Sequence, residues 1–308
     1  MRLRDVLWLV AGAAGAAAGA ALVHRLLTER WRLTVSRATH GIKNLPPDLE
    51  GLVLVHLSDF HFSSYNPIDF LRKTVQLANR QKPDAIVLTG DYADKDNADL
   101  AMCAGVLGEL SAPLGVYAVL GNHDYDVGAE ETVEALGSVG IRVLRNEKVA
   151  LGERDGRLWL VGLDDTATHR EEFSAAFEGI PADEPVILLS HSPDLLDRSA
   201  EMGVEIVLSG HTHGGQVRLP LIGAPHAPSL EPVRPAGTGR RANTRIHVSR
   251  GIGTTMYPIR FNCPPEVGVL TLRRAMRCGG AVSADAKRHR GRNGGTAAQQ
   301  RSFPLKQY

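Results

Sequence analysis

Five apolar runs of strand length each end in a short polar cluster, and this pairing constrains the 308-residue chain more than any other feature. Val53-Leu54-Val55-His56-Leu57-Ser58 leads into Asp59-Phe60-His61, Ala85-Ile86-Val87-Leu88 into Gly90-Asp91-Tyr92-Ala93-Asp94, and Val116-Tyr117-Ala118-Val119 into Gly121-Asn122-His123-Asp124. Val186-Ile187-Leu188-Leu189 leads into Ser190-His191-Ser192, and Glu205-Ile206-Val207-Leu208 into Gly210-His211-Thr212-His213. Continuous β-branched and aliphatic runs of this length read as buried strands. Open α/β sheets hold their ligands beyond the carboxyl ends of such strands. A single His or Asp at a strand end is most often a turn former, but five clusters in succession supply enough ligands for two metal ions.

The residue types narrow the metal. Carboxylate, amide oxygen and neutral imidazole together suit Mn²⁺, Zn²⁺ or Fe²⁺ better than Mg²⁺ or Ca²⁺, which favour all-oxygen shells. Two cations about 3.5 to 4 Å apart need a shared anion to offset their repulsion, and Asp91 is the carboxylate chosen for it. The glycines at 90, 121 and 210 let the backbone turn sharply before each ligand.

The order D-x-H, G-D-x-x-D, G-N-H-D, a lone His and G-H-x-H resembles the calcineurin-like metallophosphoesterases over residues 50 to 270. The resemblance implies an α/β fold of the four-layer α/β/β/α sandwich type. It places one cation on Asp59, His61, Asp91 and His213 and a second on Asp91, Asn122, His191 and His211. It leaves His123 unligated beside the metals, positioned by Asp94 or Asp124, to stabilise the transition state or protonate the leaving oxygen while a hydroxide shared by the cations attacks phosphorus. Asp124 reads equally well as a turn carboxylate capping a helix that starts near Gly128.

Two further segments, His213-Gly-Gly-Gln-Val-Arg-Leu-Pro and Pro258 to Glu266, look like the membrane-associated branch of that superfamily, which includes bacterial phosphodiesterases and lipid-sugar pyrophosphohydrolases. Hydrolysis of UDP-2,3-diacylglucosamine in lipid A synthesis is one activity of the branch. The expected substrate is therefore a phosphodiester or pyrophosphate of a lipid or lipid-linked sugar nucleotide. A phosphomonoesterase or phosphoprotein phosphatase with the same site is the alternative, and a tethered binding protein with a dead site conflicts with the full ligand set. Arg218 and Arg260 are candidate phosphate contacts through bidentate guanidinium bonds, or equally ion-pair partners in the structure. His56 reads as a packed core residue, His24, His40, His169, His247 and His289 match no ligand position, and His226 sits in a proline-rich loop that could wall the cleft.

The ends differ from the middle. Residues 1–30 read as an anchor and 31–272 as the catalytic domain, and the composition of 273–308 leads us to expect a basic, disordered tail. Residues 6 to 23 carry no charge and are long enough for a short transmembrane helix, with a cleaved signal peptide as the competing reading. Arg2 and Arg4 precede the run, whereas Arg25, Arg30, Arg32, Arg37 and Lys43 follow it, which favours a single pass through the inner (cytoplasmic) membrane with a cytoplasmic catalytic domain. The tail has a net charge of +8 within a formal total of +1, so it is suited to anionic lipid, and the acidic balance elsewhere gives no support for a nucleic-acid-binding groove. Three cysteines, at 103, 263 and 278, make a disulfide framework unexpected. Helices are expected near 67–81, 97–110, 129–139, 170–178 and 194–202, and late strands at Gln216–Leu219, Arg245–Ser249 and Val267–Leu272.

Overall fold

The computed structural model describes residues 2–94, 99–152, 157–229 and 235–275. α1 (Leu3–Thr28) leads into β1 (Thr34–Ile42), and β2 (Val53–Leu57), α2 (Ile68–Asn79), β3 (Ala85–Thr89), α3 (Leu100–Leu107) and β4 (Val116–Val119) alternate after it. Then come α4 (Asn122–Val127), α5 (Ala129–Ser138), β5 (Arg142–Val143), β6 (Glu147–Leu151), β7 (Leu158–Gly162), α6 (Phe173–Phe177), β8 (Val186–Leu189), α7 (Leu196–Glu201) and β9 (Ile206–Ser209). β10 (Gly237–Arg241), β11 (Thr244–Val248) and β12 (Glu266–Arg274) complete the described elements.

Twelve strands make two six-stranded sheets, ordered β1-β12-β2-β3-β4-β5 and β10-β11-β9-β8-β7-β6. Strand alternation explains the layers. In β3, Ala85 and Val87 face the second sheet, while Ile86 and Leu88 join the cluster formed with α2 and α3. In β8, Ile187 and Leu189 face the first sheet, while Val186 and Leu188 pack with Phe173 and Phe177 of α6. Both faces of these strands are therefore buried, which is why their sequences are uniformly apolar. Each fully buried aliphatic side chain contributes about 1.5 to 3 kcal/mol, and the result is the expected α/β/β/α sandwich.

α1 is the one helix among the described residues long and apolar enough to cross a membrane. Its 26 residues would extend about 39 Å at 1.5 Å per residue. Some expectations shift. Gln216–Leu219 forms no strand; Val217 and Leu219 make only isolated bridges, to Phe261 and Gly223. β1 was not anticipated, and it pairs in parallel with β12 across more than two hundred residues. β12 runs to Arg274, two residues into the expected tail, and the rest of the tail, from residue 276 with Cys278, lies outside the described residues. Cys103 and Cys263 are free and buried.

Candidate metal centre

Parallel strands from both sheets end at one edge. Asp59 and His61 follow β2, Asp91 follows β3, Asn122 and His123 open α4 after β4, His191 follows β8, and His211 and His213 follow β9. The ligand atoms of Asp59, His61, Asp91 and His213 lie within 4.8 Å of one another, and all four residues are buried. His61 Nε2 faces His213 Nε2 at 3.0 Å and stands 3.4 Å from Asp91 Oδ2. His191 Nε2 is 3.1 Å from that same oxygen and 3.1 Å from His211 Nδ1. Asp91 Oδ2 therefore lies between two pairs of imidazoles.

The donors fit cations. Asp59 Oδ2 and Asn122 Oδ1 are buried acceptors with no hydrogen-bond partner, an arrangement that is costly unless something positive satisfies it. Ring nitrogens that face each other at 3 Å are held only by a proton or a cation between them. The backbone is bent to serve this geometry. Asp59, His61, Asp91, His211 and His213 all have φ between 45° and 68°, a region that costs non-glycine residues energy and clusters at functional sites. At Gly210 a Cβ would run into Ser58 Oγ and Asp59 Oδ2, so no other residue can precede His211 without displacing a ligand.

A surrounding layer orients these ligands. His61 Nδ1 donates to Asp94 Oδ1 at 2.6 Å, and His191 Nδ1 donates to the Thr89 carbonyl at 2.6 Å. Each bond fixes the tautomer that leaves Nε2 free for a metal. Asn66, which the sequence reading missed, donates from Nδ2 to the carbonyls of His61 and Thr254. Five residues past D-x-H, it carried no motif signal. His123 is about one-third exposed, with Nδ1 3.9 Å from Asp94 Oδ1, and its amide donates to Asp91 Oδ1 at 3.0 Å.

Electrostatics agree with a site built for positive charge. Burial alone would raise Asp91, but His191, His61 and His123 hold it well below the usual carboxylate range. Burial works against a charged His191, yet Asp91 and Asp59 push it up to about 10. Burial, followed by repulsion from His191, brings His211 down to about 4, and His213 is lowered by burial and by His61. In His211 and His213 the shift favours the neutral imidazole that binds metal, whereas the positive charge that Asp91 and Asp59 favour at His191 is one that a cation would supply in place of the proton.

Three expectations change. Asp124 does not orient the His123 ring: it is fully buried, and its carboxylate accepts the amides of Asp91, Tyr92 and Gly121. It therefore caps α4 from inside, not a helix near Gly128. Arg260 is not available as a phosphate contact, because it is fully buried and its guanidinium donates to the carbonyls of Cys263 and Gly253. His226 is exposed, and its carbonyl packs against Gly215. Arg218 is half-buried, with its main chain tied to Phe261 and Asn262. His56 is a core residue as expected, bonded to Thr89 Oγ1 and His247.

This fold and site define a metal-dependent phosphoesterase. The family model described as calcineurin-like phosphoesterase matches residues 52–215, and the chain belongs to that family; it is a hydrolase of phosphoric esters that uses divalent metals. It is 33% identical over 245 residues to the metallophosphoesterase YkuE of Bacillus subtilis (strain 168), covering 78% of this chain and 86% of that one. It is 34% identical over 223 residues to phosphodiesterase YaeI of Escherichia coli (strain K12), covering 71% and 81%. A Danio rerio protein named transmembrane protein with metallophosphoesterase domain is 32% identical over 249 residues, 76% of this chain and 56% of that protein.

Proposed function

We propose that this chain hydrolyses a phosphodiester or pyrophosphate bond of a lipid or lipid-linked sugar nucleotide, such as UDP-2,3-diacylglucosamine, at the surface of a membrane spanned by α1. The carrying observation is how the end of α1 joins the site. Glu29, buried just past the helix, accepts the Cys263 amide at 2.9 Å, and Cys263 Sγ donates to the His213 carbonyl at 3.3 Å. Two contacts thus connect the apolar helix to a ligand loop, an arrangement suited to a substrate with acyl chains. The name of the YaeI relative supports a diester, and that of the Danio rerio relative supports a membrane setting.

Two divalent cations, Mn²⁺, Zn²⁺ or Fe²⁺, when bound, supply Lewis acidity and lower the pKa of coordinated water. Asp59, His61, Asp91 and His213 would hold one, and Asp91, Asn122, His191 and His211 the other. Asp94 lies on the Nδ1 side of His123, so Nε2 is left to protonate the leaving oxygen. Arg218 is the remaining guanidinium for the substrate phosphate. The basic flank after α1 supports a cytoplasmic position for the domain, and the charge of the basic tail supports contact with anionic lipid.

The purified full-length protein, loaded with Mn²⁺, should be assayed against a diester, a monoester and sugar-nucleotide pyrophosphates with and without acyl chains. Preference for acylated diester or pyrophosphate supports the reading. Preference for the monoester would make it a phosphatase instead.

A further inference from the structure

We propose that the hairpin at Leu219–Gly223 and the loop around Met256 and Tyr257 form a second membrane contact, inserting into the bilayer face from which α1 emerges. The proposal rests on α1 as a membrane anchor, part of the reading above, and not on which phosphoester is cut.

The distribution of exposed apolar residues motivates it. Beyond Trp31, the exposed large hydrophobics among the described residues are Tyr65, Met102, Leu219, Leu221, Ile222, Met256 and Tyr257. Five of these seven fall in two short loops. Leu221 is 108% exposed, Met256 76%, Ile222 72% and Tyr257 67%, so their side chains stand almost wholly in the medium. Scattered apolar residues on a surface need no explanation, but a concentrated patch marks an interaction site.

The two loops are tied to each other and to the end of α1. Gln216 Nε2 donates to the Thr255 carbonyl at 2.9 Å, and the Thr255 amide donates back to Gln216 Oε1 at 3.1 Å. The Arg218 amide donates to the Phe261 carbonyl at 2.8 Å. Arg25, near the end of α1, donates to Asn262 Oδ1 and lies over the Phe261 ring, while Asn262 Nδ2 donates to the Arg218 carbonyl at 3.2 Å. Arg30 reaches the carbonyl of Tyr65, which places a sixth exposed hydrophobic beside the same helix end. Only Met102 lies apart from these contacts.

The chemistry of the group is that of a bilayer interface. A Leu-Ile tip and a Met supply apolar penetration, whereas Trp31, Tyr65 and Tyr257 are the amphipathic aromatics enriched at headgroup level. Arg25 and Arg30 can keep their charges among lipid phosphates while their stems lie on apolar surface. The hairpin is also held open to serve this way. Reciprocal bonds between Leu219 and Gly223, at 2.7 and 2.9 Å, close it, and Leu221 sits at its tip with φ 68°, an outlier for a bulky residue, and with its side chain fully exposed. Both loops grow from ligand-bearing segments, since Gln216 is three residues beyond His213 and Asn66 joins the His61 and Thr254 carbonyls.

The test uses full-length protein in phosphatidylcholine and phosphatidylglycerol vesicles. Leu221→Cys, Tyr257→Cys, Ala17→Cys and Glu178→Cys are labelled with an environment-sensitive fluorophore, and the labelled parent chain gives the background. Nitroxides on the acyl chains should quench the labels at positions 221, 257 and 17 by about twofold or more, as for groups within the interface and core, and leave position 178 unchanged. Quenching at 17 without 221 and 257 would overturn the proposal and keep the anchor; quenching at none would remove both. The substrate screen decides the phosphoester class separately.

Discussion

The carboxylate of Asp124 holds Asp91 through the backbone: Oδ2 accepts the Asp91 amide at 2.9 Å, and the same oxygen accepts the Gly121 amide at 2.8 Å. With Oδ1 on the amide of Tyr92, one buried side chain joins the loop after β3 to the loop after β4. Burial, then the Asp91 charge, push Asp124 up to about 7, against the three amides that favour the anion.

Replacing Asp124 should therefore be a structural lesion that also loosens the metals. Asp124→Ala leaves three amides without an acceptor and should cost about 3 kcal/mol or more, since each bond to a charged group is worth roughly 1.5 to 3 kcal/mol. Denaturant unfolding measures it. A loss below about 0.5 kcal/mol, the level of an ordinary surface substitution, would show that the clamp carries no weight.

His123 should behave in the opposite manner. It approaches Asp94 without a hydrogen bond and stands partly exposed, so His123→Ala should retain metal while kcat falls by about 10² to 10⁴. The fall should shrink for a nitrophenolate leaving group, which needs no proton. Metal analysis beside the kinetics separates this from a ligand role: loss of metal in the variant contradicts it.

Arg260 and Arg218 should separate folding from binding. Arg260→Met strands the carbonyls of Cys263 and Gly253 inside the protein, and at about 1 to 3 kcal/mol for each unsatisfied group the midpoint of unfolding should drop clearly. Arg218→Ala should instead raise KM with little change in Tm. Equal thermal stability of Arg260→Met and the parent protein would return Arg260 to the list of substrate contacts.

Glu266 should govern acid stability. Burial would raise its carboxyl, but His247, Arg250 and Ser36 outweigh burial and hold it well below the usual carboxylate range. A carboxylate depressed on folding stabilises the protein above its unfolded pKa and loses that contribution as pH falls. Stability should therefore decline from about pH 5 downward, and Glu266→Gln should flatten this acid limb while lowering stability at neutral pH. An acid limb unchanged in Glu266→Gln would assign it to another group.

The site was more legible than its supports. The ligand clusters could be read because each follows an uninterrupted apolar strand, and burial on both faces leaves that trace in the sequence. β1 left none: Thr34-Val-Ser-Arg-Ala-Thr-His-Gly-Ile42 is polar on much of its length, and its partner β12 is over two hundred residues away. Gln216–Leu219 has strand-like residues but spends its hydrogen bonds on Thr255, Phe261 and Gly223 in a loop. The structural tasks of Asp124 and Arg260 arise from contacts across the fold that no local pattern records. The left-handed backbone at five ligands is likewise a tertiary imposition, for Asp and His do not demand it.

The central claim is that Asp91 is shared between two cations, because its Oδ2 lies 3.4 Å from His61 Nε2 and 3.1 Å from His191 Nε2. Metal content per chain, measured on parent and Asp91→Asn proteins after saturation with Mn²⁺ and removal of the excess, tests this directly. The account predicts two ions in the parent and one or none in Asp91→Asn. Two tightly held ions in both proteins would contradict it.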